Sequence, residues 1–195
     1  KKWFIYGSPI SIWLAGGFSL SFLDRYFINH YLPSEDLGVY ASLQEILIRS
    51  FSLTIFPFTL ALHPRIMKLW NSSKFQEAIQ LILKSLYLIL AIGLFIILIT
   101  WYFNDLIFLW IKIGIPQINS YSKMLIGPLL LSGFLWQISL ITHKMLELKE
   151  KTIFMVIAII PSLIINLIGN IFFLPKLGMV ATAYTALFSA LVYFI

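Results

Sequence analysis

The chain of 195 residues contains no cysteine and few charged residues, which make up 11% of it. The absence of cysteine excludes disulfides, thiol nucleophiles, cysteine-based zinc sites and iron–sulfur clusters. A soluble globular chain is about one quarter charged. With 60% hydrophobic residues and a mean hydropathy of +0.92, this chain has too little polar surface to cover its helices in water. The composition therefore excludes a soluble enzyme and indicates an integral membrane protein.

Other chemistry is scarce as well. The net charge is +6, but the charged residues lie mostly between apolar runs and do not form the basic stripe that nucleic-acid binding requires. The three histidines are isolated at predicted helix ends, and the sequence has no histidine pair with metal-ligand spacing and no glycine-rich phosphate loop. We therefore predict no nucleic-acid partner, no metal, no cofactor and no enzymatic activity.

Six stretches are long and apolar enough to cross a bilayer, because a spanning helix needs about 20 apolar residues at about 1.5 Å each. The predicted spans are residues 3–31, 37–62, 79–103, 121–143, 152–174 and 177–195. Transmembrane strands are only about 10 residues long and alternate in polarity. The sequence therefore predicts an all-α integral membrane protein, a single six-helix bundle. The missing initiator methionine and the apolar last residues indicate a fragment of a longer chain.

Lysine and arginine are concentrated in alternate connections, and such positive segments stay on the cytoplasmic side. The positive connections contain Lys1, Lys2, Arg65, Lys68, Lys74, Lys144, Lys149 and Lys151. The other connections contain Lys112, Lys123 and Lys176. We therefore predict that both ends of the segment face the cytoplasm and that residues 104–121 form an external loop with an interfacial helix.

Four charged residues lie deep within predicted spans, where each charge costs about 2.5–3.5 kcal/mol. Glu45 and Arg49 are four residues apart, share a helix face and can pair. Arg49 lies about 18 Å into its span, close to the midplane. Asp24 and Arg25 are adjacent and point about 100° apart, so at least one of them needs a partner on another helix. For both pairs two interpretations stay open: a structural ion pair between helices, or a group that lines a transport cavity.

Three further polar residues form a secondary group of candidate cavity residues. Gln137 and Asn166 are typical of hydrogen bonds between membrane helices. Lys84 lies near the inner end of its span, where its long side chain can reach the headgroups. The last span carries a face of small residues that predicts close helix packing: Gly178, Thr182, Ala186 and Ala190.

Two segments carry a resemblance to a known family. Near the start, a Tyr-Gly-x-Pro opening at 6–9, Asp-Arg-Tyr at 24–26 and Gly-Val-Tyr at 38–40 follow one another in this order. Near the end, residues 165–190 contain an asparagine-rich helix, a Pro-Lys-x-Gly turn and the small-residue helix. These motifs resemble the second half of bacterial O-antigen flippases and related polysaccharide exporters. Those proteins belong to the multidrug/oligosaccharidyl-lipid/polysaccharide export superfamily.

The resemblance spans nearly all of the chain and implies the second six-helix lobe of a two-lobed transporter. Members of that family of exporters move polyprenyl-pyrophosphate-linked oligosaccharide across the bacterial inner membrane by alternating access, for O-antigen, capsule or exopolysaccharide synthesis. The implied partners are the lipid-linked oligosaccharide, the bilayer, an N-terminal lobe and H⁺ or Na⁺ as a coupling ion. Asp24 and Arg25 match a family motif, whereas Glu45 and Arg49 depend on depth and spacing alone.

Arginine suits a pyrophosphate because its planar guanidinium donates two hydrogen bonds and keeps its charge when buried. We therefore expect Arg49 to help hold the headgroup, Glu45 to tether Arg49 when no substrate is bound, and Asp24 or Glu45 to couple to the ion. A cation-coupled drug or metabolite antiporter of the same superfamily would instead need acidic groups to dominate its cavity. A membrane glycan polymerase or ligase would need a larger external loop than residues 104–121.

Overall fold

The computed structural model describes residues 2–194, with side chains from residue 6 onward, so the side chains of Lys1 and Lys2 lie outside the described part. Every regular element in this range is helical. The helices are α1 (Lys2–Tyr31), α2 (Ser34–Asn71), α3 (Phe75–Tyr102), α4 (Asn104–Gly114), α5 (Ile126–Thr142), α6 (Lys144–Leu148), α7 (Ile153–Leu177) and α8 (Met179–Phe194). A 3₁₀ turn at Ser122–Leu125 leads into α5.

Each of the six predicted spans overlaps one helix, and two of these helices, α5 and α8, have only 17 and 16 residues. Within the described residues, α2, α3, the segment Ser122–Leu148 and α7 are long and apolar enough to cross a membrane, and α8 is a shorter apolar helix. Helix α1 has 30 residues, but glycine, serine and proline interrupt its apolar stretch. The predicted class of all-α membrane protein is confirmed.

Several helix boundaries differ from the prediction, and two of the differences, at the ends of α2 and α7, have a clear physical reason. Helix α2 continues beyond residue 62 to Asn71, because Ile66 is buried in the bundle and Lys68 in the last turn favours the negative end of the helix dipole. Helix α7 continues through Pro175 and ends at Gly178, whose φ of 65° side chains with a Cβ rarely adopt. The connections around residues 65–74 and 175–178 are therefore shorter than predicted.

Helix α5 forms the centre of the bundle. The most apolar window of the segment that contains it is 67% buried, against 17–28% for the other three candidate spans. Helix α5 packs against α2, α3 and α8, while α7 packs against α1 and α8. Helices α1 and α2 contact each other much less, and this leaves space between them in front of α5.

Helix α4 lies in the predicted external connection. Its exposed side chains include Leu106, Leu109 and Trp110, while Ile111 is buried against the bundle. At its start Asp105 pairs with Lys123, which precedes α5. An amphipathic helix of this kind fits the membrane interface.

Helices α7 and α8 approach closely through small side chains. The Ser162 hydroxyl donates to the backbone oxygen of Ser189 at 2.8 Å, and the Ser189 hydroxyl donates back to the backbone oxygen of Ser162. Four residues before Ser189 along α8, Thr185 lies against Gly169, where a Cβ would come within 2.5 Å of the threonine side chain. The small-residue face of α8 is thus packed as its pattern indicated.

This contact predicts the effect of Gly169→Ala. An alanine in a helix normally gains about 1 kcal/mol over glycine, but here the methyl group would overlap Thr185, and overpacking costs about 1–3 kcal/mol. We expect a lower apparent Tm for the full-length protein in detergent. The control Gly127→Ala in α5, where nothing lies within 4 Å, should leave the Tm unchanged or raise it. Adding Thr185→Ala to Gly169→Ala should restore the loss, and failure of that rescue would contradict the contact.

Candidate functional site

The carboxylate of Asp24 in α1 is buried, with 2% of the residue exposed, and accepts four side-chain hydrogen bonds. From α2, Tyr40 Oη donates to Oδ2 at 3.0 Å and Gln44 Nε2 donates to the same atom at 3.4 Å. From α7, the Nδ2 atoms of Asn166 and Asn170 donate to Oδ1 at 2.9 and 3.1 Å. These bonds replace the water that a buried charge loses. Asp24 therefore connects α1, α2 and α7.

Arg25 points away from Asp24, as its position one residue further along α1 requires. Its Nη2 donates to Glu45 Oε1 at 2.7 Å, and Arg49 Nε donates to Glu45 Oε2 at 2.6 Å. The side chains of Arg25, Glu45 and Arg49 are 32%, 44% and 70% exposed, so a ligand can reach them. We call these three residues the arginine triad. Its two guanidiniums and one carboxylate leave one unit of positive charge.

Gln44 links the triad to the buried carboxylate. While its Nε2 donates to Asp24, its Oε1 accepts a hydrogen bond from Arg25 Nε at 3.3 Å. Gln44 itself is buried. Arg49, Glu45, Arg25, Gln44 and Asp24 therefore form one continuous polar chain from the bundle surface to its interior.

A cavity of about 370 Å³ lies between α1 and α2, in front of α5. Its lining includes Trp13, Gly17, Asp24, Gln44, Ile48, Ser132, Gly133, Trp136, Asn166 and Ala186. The lining residues Leu14, Phe18 and Phe56 are exposed, so the cavity opens to the outside of the bundle between the two helices. Its size is within the range of about 300–1,000 Å³ that small-molecule sites occupy.

None of the three residues of the arginine triad lines this cavity. Gln44 and Ile48 of α2 do line it, and Glu45 and Arg49 each follow one of them by one residue, about 100° further around the helix. Glu45 lines a separate pocket with Ala41, Ser42, Ile46, Gly114 and Ile115. The site thus combines an apolar cavity with a positively charged group on neighbouring faces of α1 and α2. This arrangement suits an amphiphile whose charged part is anionic.

Away from Asp24, the cavity wall is aromatic. The indole rings of Trp13 and Trp136 are stacked with centroids 6.2 Å apart and an interplanar angle of 10°. Trp13 Nε1 donates to Tyr193 Oη, which lies 2.7 Å from His143 Nε2. From the sequence His143 was expected to be isolated, but the structure buries it in this hydrogen-bonded group of α1, α5 and α8. Its partner Tyr193 lies fifty residues away, which spacing alone does not reveal.

The secondary candidates separate into one residue at the site and two outside it. Asn166 binds Asp24 directly and lines the cavity. Gln137 is buried but lies outside the cavity lining, where its Nε2 donates to Ser52 Oγ at 2.9 Å. Lys84 is exposed on α3 and is likewise not a lining residue of this cavity. The position of Lys84 fits the alternative that it anchors at the headgroups.

Several residues at the site were not among the predicted candidates. Tyr40, Gln44 and Asn170 complete the shell around Asp24. A usable pattern was present, because Tyr40 and Gln44 are four apart on α2, as Asn166 and Asn170 are on α7. Which carboxylate they would meet depends on the tertiary packing.

The oxygen atoms around Asp24 also determine what the site can hold. Among the described residues, no group of three or more histidine, aspartate or glutamate side chains could hold a metal ion. Within that same part of the chain, the buried Oδ1 of Asn170, whose Nδ2 donates to Asp24, accepts no hydrogen bond. One carboxylate and neutral oxygens suit a hard monovalent cation or a proton better than a transition metal.

The architecture is that of a multi-pass helical membrane protein with a polar site inside the bundle. Residues 9–172 match the family model MatE, so the chain belongs to the MatE family. This family is part of the multidrug/oligosaccharidyl-lipid/polysaccharide export superfamily of transporters. Comparison with curated proteins and with solved structures found no match. The superfamily that the motifs resembled is therefore confirmed, and the chain belongs to a family of transporters.

The carboxylate of Asp24 is buried and that of Glu45 is partly exposed, so their removal should affect stability differently. Asp24→Leu leaves four buried donors without an acceptor, and each unsatisfied donor costs about 1–3 kcal/mol before the side chains rearrange. We expect the free energy of unfolding to fall by about 3 kcal/mol. Glu45→Leu removes partly exposed ion pairs, which contribute about 0–1 kcal/mol, and should have a much smaller effect. Denaturation of the full-length protein in mixed micelles measures both, and equal losses would contradict the anchoring role of Asp24.

Proposed function

We propose that this transporter is a flippase for an anionic lipid-linked sugar. Its substrate is a polyprenyl-pyrophosphate-linked oligosaccharide repeat unit for O-antigen, capsule or exopolysaccharide synthesis. The observation that carries the proposal is the exposed pair of arginines held by one glutamate, each residue next in sequence to one that lines an apolar cavity. A pyrophosphate cannot cross hydrocarbon without a replacement for its water, and guanidinium groups supply that replacement.

The triad acts as the headgroup site. When no substrate is bound, Glu45 holds both Arg25 and Arg49, which keeps two guanidiniums close together in a low-entropy arrangement. A pyrophosphate offers more negative charge and more acceptor atoms than the glutamate. It therefore takes over these hydrogen bonds while Glu45 turns outward.

The cavity acts as the site for the apolar part of the same molecule. Its wall is formed mostly by apolar and aromatic side chains, and Gln44 in its lining connects it to Arg25 of the triad. A hydrocarbon segment that follows the pyrophosphate can enter it, and burying apolar surface there contributes about 25 cal/mol per Å². The rest of the prenyl chain stays in the bilayer.

Asp24 acts as the coupling site for a cation, either H⁺ or Na⁺. It is a buried carboxylate surrounded by neutral amides and a phenol, and such intramembrane acids mark ion pathways. The coupling role thus belongs to Asp24, whereas Glu45 is engaged by the two arginines.

We place the protein in the bacterial cytoplasmic membrane with both ends of this segment in the cytoplasm, since the positive residues lie in alternate connections. Helices α1 and α2 then present the cavity opening to a second lobe. Alternating access of the two lobes moves the headgroup across the membrane.

A cation-coupled drug or metabolite antiporter is the second candidate. One specific observation favours it: stacked Trp13 and Trp136 line the same cavity as the Asp24 carboxylate. Aromatic faces attract organic cations, and the carboxylate supplies the opposite charge. Against it, four donors already occupy the Asp24 oxygens.

Transport by the reconstituted full-length protein distinguishes the flippase from the antiporter. In proteoliposomes, the wild type should transfer a polyprenyl-pyrophosphate oligosaccharide between leaflets, and Arg49→Ala should slow the initial rate at least tenfold. A charge-assisted hydrogen bond contributes about 1.5–3 kcal/mol, and about 1.4 kcal/mol corresponds to tenfold. Arg49→Lys should retain part of the rate. Lys84→Ala, which removes an exposed cation on α3, should leave it unchanged.

The other results have equally definite meanings. Uptake of a cationic dye without transfer of the lipid would replace the flippase by the antiporter. Lipid transfer that survives Arg49→Ala would keep the flippase function and reduce Glu45 and Arg49 to a structural ion pair.

A further inference from the structure

Gln44 occupies a position between two groups that do not touch each other. Asp24 and Arg25 are neighbours on α1 but face different directions, and Arg25 pairs with Glu45 rather than with Asp24. The carboxamide of Gln44 contacts both, with Nε2 toward Asp24 Oδ2 at 3.4 Å and Oε1 toward Arg25 Nε at 3.3 Å. Because Gln44 is buried, neither end can readily exchange its partner for bulk water.

We propose that Gln44 couples cation binding at Asp24 to anion binding at Arg25. This inference rests on the proposed function, which assigns the cation to Asp24 and the pyrophosphate to the triad. A carboxamide has one donor end and one acceptor end, so the group that faces one end determines what the other end offers. With a free carboxylate at Asp24, the donor end turns inward and the acceptor end holds Arg25.

Neutralising Asp24 reverses this preference. A bound Na⁺ requires oxygen ligands, and a bound proton turns the carboxyl group into a donor that requires an acceptor. In both cases the carboxamide gains by turning Oε1 inward. Its NH₂ group then faces the guanidinium of Arg25, donor against donor, so Arg25 leaves Gln44 and is free to bind an anion.

The sign of the coupling follows from the geometry. Cation binding at Asp24 releases Arg25 and strengthens anion binding. By thermodynamic linkage, anion binding strengthens cation binding by the same factor. Loss of the negative charge at Asp24 acts in the same direction without Gln44. A cationic substrate would experience the opposite sign, so the sign also separates the two candidate functions.

The experiment measures this linkage by calorimetry on the purified full-length protein, with farnesyl diphosphate as the probe. Titrations with and without Na⁺, with choline as the replacement, and at two pH values give the factor by which either cation changes the Kd. For the wild type we expect a tighter Kd when the cation is present. Gln44→Met keeps the length of the side chain but removes both hydrogen bonds, and should reduce that factor about tenfold.

A purely structural role for Gln44 would give a different result. Gln44→Met should bind the probe without cation at least as tightly as the wild type does, because Arg25 is already released. General damage to the fold would weaken binding under all conditions. The matched control is Gln137→Met, another buried glutamine whose partner is Ser52, and it should retain the wild-type linkage.

The remaining outcomes overturn one proposal or both. If the wild type binds the probe with no cation effect, or if Gln44→Met keeps the full effect, the coupling role is wrong and the headgroup site stands. If cation weakens probe binding, the proposed sign is wrong. Inorganic pyrophosphate and a cationic dye are tested as further probes. If the wild type binds the dye but neither farnesyl diphosphate nor pyrophosphate, the flippase proposal fails and the coupling role fails with it.

Discussion

The arrangement of this bundle depends on one requirement, that the carboxylate of Asp24 be solvated where water is excluded. An isolated buried charge costs far more than a bundle of this size can tolerate, so its partners must come from the protein. They come from four positions on two other helices, Tyr40 and Gln44 of α2 and the two asparagines of α7. This requirement fixes how α1, α2 and α7 rotate about their axes.

The same requirement places the positive charge on the surface. Once Asp24 faces inward, the geometry of α1 directs Arg25 about 100° away, where it meets Glu45. Adjacent residues of opposite sign thus lie in different environments instead of neutralising each other. In the proposed function, this separation provides one buried site for a small cation and one accessible site for an anion, joined through the side chain of Gln44.

The features that the sequence predicted are those that depend on local geometry or on the bilayer. Run length located the six helices that overlap the predicted spans because hydrocarbon thickness sets a minimum span, although α8 has only 16 residues. The four-residue spacing identified the Glu45–Arg49 pair because it places both on one helix face. The partners of Asp24, the cavity and the contact of His143 with Tyr193 depend on how distant helices pack, so no spacing rule reveals them. The end of α2 was predicted too early because sequence polarity marks where the membrane ends, not where the helix ends. The helix continues to Asn71 because its backbone hydrogen bonds continue and Ile66 is buried against the bundle.

The role of Glu45 separates the anionic from the cationic substrate most directly. Its two oxygens each accept one bond from an arginine at 2.6–2.7 Å, which is the arrangement a phosphate would make with the same two side chains. An anion therefore exchanges with Glu45 while the guanidiniums stay charged and hydrogen-bonded, so the desolvation cost of binding is small. A cation entering the cavity would have to separate Asp24 from four neutral donors and leave them without an acceptor. The exchange available at the triad thus favours an anionic headgroup. In the proposed function, Asp24 takes only a proton or Na⁺, which is small enough to be held in place when neighbouring carboxamides turn their oxygens inward.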